Sequence, residues 1–509
     1  MRISNEQSHD MQRTRERNPS RRIIILLLLL AIVVPVTLLL ANKGQPQGHV
    51  ASTATNFPPD DVGLSSVPVR SISRPGYLRT VTDPTFGDLV TRISDQTAFG
   101  TSNLYLTHEY STLQTWNADG SLLFLNDAWN WNTAYLLDGK TGVYLRTVHP
   151  GALAGHTPRW SNVNPNNMYG IPSTTVEGGS CNTTNRLVVW HPETDTSSYP
   201  ALTVLHTFTQ FDSYANTSLC ANMTFGLDKG NFSNDDSLGV VIGWSTMRKS
   251  WGITTFHMTN VNTDTPTVTE IATRWLGAIG GTKNNFDSAN WNNVSAMPKG
   301  DGVLVQWKSI GPGIHQGIEW FSTDLTTTRH VTDAVSHYDE GLDANGNEMV
   351  VTNCGQSGGA STNTCTGVSQ NPGSPFIAGY YLNRFGPTGA SLNLYPSAYP
   401  RLTSTVHISC RNQYQRPGWC YISDFQNNPS FPVGYEQIYA LKLDGSETVE
   451  VFGVDHGSYD SCFICNEYTA RAVPSRDGSK VIFTSDWGLG ASAPSYDYII
   501  QCPLGGCHH

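Results

Sequence analysis

A turn followed at once by a short β-prone run recurs along this chain, and the recurrence limits the fold more than any other feature. The clearest copies are Asn117-Ala118-Asp119-Gly120-Ser121 before Leu122–Leu125 and Ser475-Arg476-Asp477-Gly478-Ser479 before Val481–Phe483. Asp343-Ala344-Asn345-Gly346-Asn347 precedes Met349–Val351, and Asn234-Asp235-Asp236-Ser237 precedes Leu238–Ile242. Weaker copies are Pro165-Asn166-Asn167, Lys299-Gly300-Asp301-Gly302 and Arg416-Pro417-Gly418. The turns fall at 120, 167, 236, 301, 346, 418 and 478, on average about 60 residues apart. Asp-Gly or Asn-Gly supplies the positive φ of a tight hairpin, and the apolar run after it reads as a strand buried on both faces. A second hairpin follows, as at Asp138-Gly139-Lys140-Thr141-Gly142 and Asp444-Gly445-Ser446. Two hairpins make a four-stranded sheet that cannot bury its faces alone, and packing such sheets around an axis solves this. The sequence therefore predicts an all-β chain folded as a seven-bladed β-propeller. Two separate β-sandwiches are the alternative, and the uninterrupted repeat argues against them. Leu89–Ile93 is expected to pair with Tyr496–Gln501 in the last blade and close the ring.

Ahead of the repeat, Ile23 to Ala41 is a run of nineteen residues without a charge, long enough as a helix to span a bilayer's hydrocarbon core. Arg13, Arg15, Arg17, Arg21 and Arg22 precede it, so the positive-inside rule leaves the N-terminus in the cytoplasm and the rest outside. A cleaved signal peptide is the rival reading, but its apolar region is normally shorter and ends at a small-x-small site, and Leu39 before Ala41 matches this poorly. The organisation expected is a cytoplasmic tail at 1–22, a transmembrane signal anchor at 23–41, a flexible linker at 42–80, the propeller at 81–502 and a tail at 503–509. Localisation follows: membrane-anchored, with the propeller periplasmic or extracellular. All ten cysteines lie beyond the apolar run, in a compartment where disulfides persist. Cys354/Cys365 and Cys410/Cys420 are spaced like staples, although spacing does not fix pairing, and Cys462-x-x-Cys465 reads as structural. The net charge is −10, and residues 1–22, with six Arg and three acids, contribute +3, so the rest of the chain is about −13, which excludes nucleic acid as a partner.

His108, His156, His337 and His407 head repeat units, and His456 lies further from its turn. In a propeller the strand before the turn lines the central channel, so residues heading it gather at one mouth. Imidazole there is a general base near neutral pH or a metal ligand. The structural alternative is that each histidine caps a neighbouring blade through backbone carbonyls. The sequence neighbours sharpen the choice: His108 is followed by Tyr110, His156 by Arg159 and Trp160, His407 by Arg411 and Tyr414, and Arg471 precedes the seventh turn. Arginine binds carboxylates bidentately, His or Tyr exchanges protons, and Trp or Tyr stacks on sugar rings. β-Elimination of a uronate polysaccharide needs this inventory: a neutralised carboxylate, a base for the C5 proton and an acid for the leaving oxygen. The reading assigns catalysis to His156, Arg159 and Tyr110, and substrate binding to Trp160, Arg411, Tyr414 and Arg471. His337, His407 and His456 are assigned to a divalent metal ion as cofactor.

Ser475-Arg476-Asp477-Gly478 through Val481-Ile482-Phe483-Thr484-Ser485-Asp486 resembles the repeat of TolB-type propellers, a likeness of fold over most of residues 100–490. His337-Tyr338-Asp339 and His407-Ile408-Ser409 resemble the His-headed blades of oligogalacturonate lyases, and the His, Tyr and Arg inventory is similar to that of ulvan lyases. Ahead of the final turn this chain carries Thr469-Ala470-Arg471-Ala472 where the lyase motif has a Pro-His pair. The resemblance implies a polysaccharide or oligosaccharide partner and a channel-mouth metal. The expected function is binding of a carbohydrate or small polar ligand at the channel mouth, with uronate lyase activity. The competing class is a non-catalytic TolB-like propeller serving as a cell-envelope interaction platform.

Overall fold

The computed structural model describes residues 60–62, 70–127, 133–153, 158–172, 174–175, 181–182, 185–198, 200–211, 223–226, 229–277, 291–307, 315, 317–332, 337–353, 377–382, 390–395, 406–424, 436–457, 469–490 and 493–502. Among these the main strands form seven antiparallel blades. Blade 1 is Tyr105–Thr107, Leu122–Asp127, Ala134–Asp138 and Tyr144–Val148. Blade 2 is Arg159–Trp160, Met168–Gly170, Arg186–Trp190 and Thr203–Thr207. Blade 3 is Met223–Thr224, Leu238–Ser245, Ser250–Thr259 and Thr267–Gly277, and blade 4 is Trp291–Ala296, Gly302–Trp307, Ile318–Ser322 and Thr328–Thr332. Blade 5 is Tyr338–Leu342, Glu348–Asn353, Ile377–Tyr381 and Ala390–Tyr395, and blade 6 is Val406–Ser409, Trp419–Asp424, Gln437–Lys442 and Thr448–Val454. Blade 7 takes Val473–Pro474, Val481–Ser485 and Ser495–Gln501 from the end of the chain and Leu89–Arg92 from its start.

The last pairing closes the ring as the sequence requires. Leu89 lies opposite Gln501 and Arg92 opposite Tyr498, antiparallel. A short parallel step from Ser495–Tyr496 to Tyr105–Leu106 then carries blade 7 into blade 1.

The turns form for the reason their residues suggest. Gly120, Gly346 and Gly478 adopt φ of 71°, 73° and 72°. In each turn an Asp side chain accepts from backbone N–H groups: Asp119 from Ser121 (3.0 Å), Asp343 from Asn347 (2.7 Å) and Asp477 from Ser479 (3.1 Å). These local bonds replace ladder bonds that the turning backbone cannot make. In the 236 turn the positive φ falls on Asp236 itself. The run after the turn is buried at every residue in Leu238–Ser245, Gly302–Trp307, Glu348–Asn353 and Val481–Ser485. Thr203–Thr207, by contrast, is exposed or half-buried throughout.

The stretch expected to be a free linker is docked where it is described. Asp61–Val62 pairs with Thr448–Val449 on the outer edge of blade 6, and Thr80–Thr82 adds beyond the closing strand of blade 7. The Ile72 carbonyl accepts from Trp487 Nε1 (2.9 Å). An open sheet edge offers unpaired N–H and C=O groups, and these segments cover it. Cys410 and Cys420 form a disulfide across the inner turn of blade 6, and Cys502 is also disulfide-bonded. The expected anchor at 23–41 and Cys354, Cys365, Cys462 and Cys465 lie outside the described residues. Among the described residues no helix is long and apolar enough to cross a membrane.

Candidate functional site

Each inner strand runs from the mouth toward its Asp-Gly turn, so side chains heading these strands meet at the end away from the turns. There His337 of blade 5 and His407 of blade 6 stack face to face, ring centroids 4.7 Å apart and 8° from parallel. Tyr110 from blade 1 stands edge-on to both, at 6.2 Å from His337 and 5.2 Å from His407. Lys229, between the first and second strands of blade 3, holds its ammonium 5.3 Å from the Tyr110 ring and 6.0 Å from that of Tyr338. Tyr338 is buried and donates to Asn293 Oδ1 (2.5 Å), which fixes it as a wall.

Arg471, leading into blade 7, completes the cluster. Its φ is +40°, an unfavourable value for a side chain with a Cβ. Its Nη2 donates to Thr107 Oγ1 (3.3 Å), while its Nε is buried with no hydrogen-bond partner among the described residues. A strained backbone carrying a buried, unsatisfied donor is common at sites that await a ligand.

The electrostatics follow from this geometry. His407 is buried, and burial together with the neighbouring His337, Arg471, Lys229 and His108 pushes its pKa well below the ordinary histidine value. It is therefore neutral at neutral pH and able to accept a proton. His337 Nδ1 faces the Val406 carbonyl, so that nitrogen carries a proton and donates it to the carbonyl. With Lys229 and Arg471 beside them, the mouth favours an anion.

The other expected site residues have structural work. Arg411 is fully buried and grips Asp339 with two nitrogens (3.1 and 2.8 Å), also reaching the Glu340 carbonyl (2.9 Å) and carboxylate (3.2 Å). Burial opposes its charge, and Asp339 and Glu340 more than reverse this, holding its pKa above the ordinary range. Glu340 also accepts from Asn231 (2.8 Å) and Ser295 (2.9 Å), so blades 3, 4, 5 and 6 are tied across the axis. Arg159 is buried and donates to the carbonyls of Lys229 (2.5 Å) and Gly230 (2.9 Å). Trp160 is buried with its Nε1 on the Thr115 carbonyl (3.1 Å). Tyr414 lies under the Arg476 guanidinium (4.4 Å) and, with Arg159 and Trp160, lines a cavity.

Among the histidines, His108 takes the structural alternative. Its Nδ1 meets Asp497 Oδ1 (2.9 Å) and its Nε2 meets the Arg471 carbonyl (2.8 Å). His456 meets Asp83 Oδ2 (2.9 Å) and packs on Trp487 (4.6 Å) instead of joining the stacked pair. His156 lies outside the described residues. The expected three-histidine metal set is therefore not assembled. Among the described residues no group of three His, Cys, Asp or Glu side chains is placed to hold an ion. Two parallel imidazoles cannot both aim an in-plane lone pair at one point between them, and the two nearby cations oppose a third. Among the described residues, those at the mouth do not fit a resident divalent metal.

Lys229 was not evident from the sequence, yet its signal was there. It lies seven residues before the turn position at 236, as Arg471 lies seven before Gly478. The register that points to histidine marks lysine equally well.

No family model and no curated protein matches the chain. Among solved structures, oligogalacturonate lyase from Vibrio parahaemolyticus superposes with TM-score 0.50 at 13 % identity, covering 84 % of this chain and 96 % of that one. An oligogalacturonate lyase in complex with manganese gives TM-score 0.49 at 13 % identity, covering 88 % and 98 %. The putative TolB from Agrobacterium tumefaciens gives TM-score 0.30 at 12 % identity, covering 77 % and 90 %. Identities this low speak for architecture only; the seven blades and the superposition on the Vibrio structure show that the chain is a β-propeller similar in fold to that oligogalacturonate lyase.

Proposed function

We propose that the channel mouth is the active site of a lyase that cleaves a uronate-containing polysaccharide or oligosaccharide by β-elimination. The observation that carries this reading is the convergence, from five blades, of a stacked imidazole pair, a tyrosine and two cations. Arg471 and Lys229 pair with the uronate carboxylate, stabilising the negative charge that builds up when the C5 proton leaves. His407, neutral at neutral pH, accepts that proton. The C5–H electrons form the C4=C5 double bond, the C4–O4 bond breaks, and Tyr110 returns a proton to O4. His337, its tautomer set by the Val406 carbonyl, holds the His407 ring from the other face. The Cys410–Cys420 disulfide supports a site of action outside the cytoplasm, on a membrane-anchored chain.

The test is a panel of galacturonate, glucuronate and mixed mannuronate–guluronate polymers with the full chain purified in detergent. The expected product absorbs in the ultraviolet through a double bond conjugated to its carboxylate, and it forms with chelator present as without. Absence of that product on every polymer overturns the lyase reading in favour of an interaction platform.

A further inference from the structure

The two cations of the mouth share an unusual support. Each is gripped by its own backbone carbonyl, and in each case the grip comes from a buried side chain of an adjacent blade, the following one for Arg471 and the preceding one for Lys229. His108 of blade 1 reaches the Arg471 carbonyl leading into blade 7 through Nε2 (2.8 Å). Arg159 of blade 2 reaches the Lys229 carbonyl, within blade 3, through Nη2 (2.5 Å). We propose that His108 and Arg159 are positioning residues, which set the height and direction of Arg471 and Lys229 at the mouth by holding their main chains. This rests on the active-site reading given above.

The His108 clamp is built to be rigid. Both its ring nitrogens face oxygen acceptors, the Arg471 carbonyl and Asp497 Oδ1, and its own N–H donates to Asp497 Oδ2 (2.5 Å). Thr484 Oγ1 donates to the same carboxylate (2.8 Å). Asp497 is anchored in turn, its N–H donating to Ser94 Oγ (2.9 Å), which donates to the Leu106 carbonyl (2.9 Å). Ser94 follows the strand that closes the ring, so closure by Leu89–Arg92 and the placing of Arg471 are parts of one connected set of bonds. That set explains how a non-glycine residue is held at φ +40° with its Nε buried: the surroundings over-determine a conformation the residue would otherwise leave. The Arg159 clamp acts on a segment that has little freedom of its own. Gly230 adopts φ 97°, and a Cβ there would meet the Val294 carbonyl oxygen at 2.4 Å.

The experiment compares H108F, H108Q, R159M and T484V in the full chain, after circular dichroism has shown each to be folded. Turnover of the uronate polymer found active gives kcat and KM, and the arginine Nε–H signals of the free protein are followed by nitrogen-15 NMR. H108F is expected to raise KM roughly ten- to a hundred-fold, with a smaller change in kcat, and to move the protected Arg471 Nε–H signal, identified by its absence in R471K. H108Q, which retains a donor for the carbonyl, recovers part of both. R159M raises KM while leaving the Arg471 signal in place. T484V removes one bond to Asp497 but keeps the direct bond from His108 to the Arg471 carbonyl, so it lowers thermal stability and moves KM and the signal far less than H108F does. A folded H108F with the native signal, or a T484V that moves KM as far as H108F does, overturns the proposal. If the native chain cleaves no uronate, the active-site reading fails by itself, and the Arg471 signal still decides whether His108 positions that side chain.

Discussion

Arg411→Ala is expected to lower stability by about 3–5 kcal/mol, the range for removing one partner of a buried ion pair. Two consequences add up. The carboxylates of Asp339 and Glu340, both buried, lose the cation that balances them. The links that Glu340 makes to Asn231 and Ser295 then surround an uncompensated buried charge. The exposed pair Lys442–Asp444, at 3.5 Å with side chains 36 % and 46 % exposed, is the internal control. Lys442→Ala should change stability by no more than about 1 kcal/mol. Denaturant midpoints read both, and an Arg411→Ala protein as resistant as the parent would contradict the axial role given to this residue.

His407→Ala should lower kcat by roughly a hundred- to ten-thousand-fold, the usual loss when a general base is removed. The pH profile gives a second, independent reading. Burial and its cationic neighbours hold the folded-state pKa of His407 below the ordinary value. Its basic form therefore persists as pH falls below about 6.5, and activity is lost only as pH passes through the depressed value. Arg471→Met removes one of those cations, so the acidic limb should move upward in pH while KM rises. A profile in the native enzyme falling off above about 6.5 would exclude His407 as the base.

The sequence carried the register of this fold further than it carried the partners across the axis. Turn residues with a local reason to be there, such as Gly120, Gly346 and Gly478, marked the hairpins, because positive φ is a property of one residue and its neighbours. The same register brought Tyr110, His337, His407 and Arg471 to one mouth. What it could not show is which acceptor a side chain meets after folding. Arg411 and Arg159 sit in comparable positions ahead of their turns, yet one meets Asp339 and Glu340 and the other meets carbonyls of residues 229 and 230. His456 finds Asp83, 373 positions earlier, a contact set by the docking of the N-terminal segment. Trp160 followed a histidine and an arginine in sequence, but its buried indole faces the interior of blade 1. Lys229 stood outside a reading that took its candidates from the sequence neighbours of histidines and from the seventh turn.

The most direct test of the mouth as a uronate site is NMR of histidine-labelled protein titrated with short galacturonate, glucuronate and mannuronate–guluronate oligomers and their carboxyl-reduced counterparts. The account predicts that one acidic series shifts the ring signals of His337 and His407, leaves those of His206 and His456 in place, and loses its effect when the carboxylates are reduced. Shifts confined to His206 or His456, or equal shifts with the reduced oligomers, would contradict it.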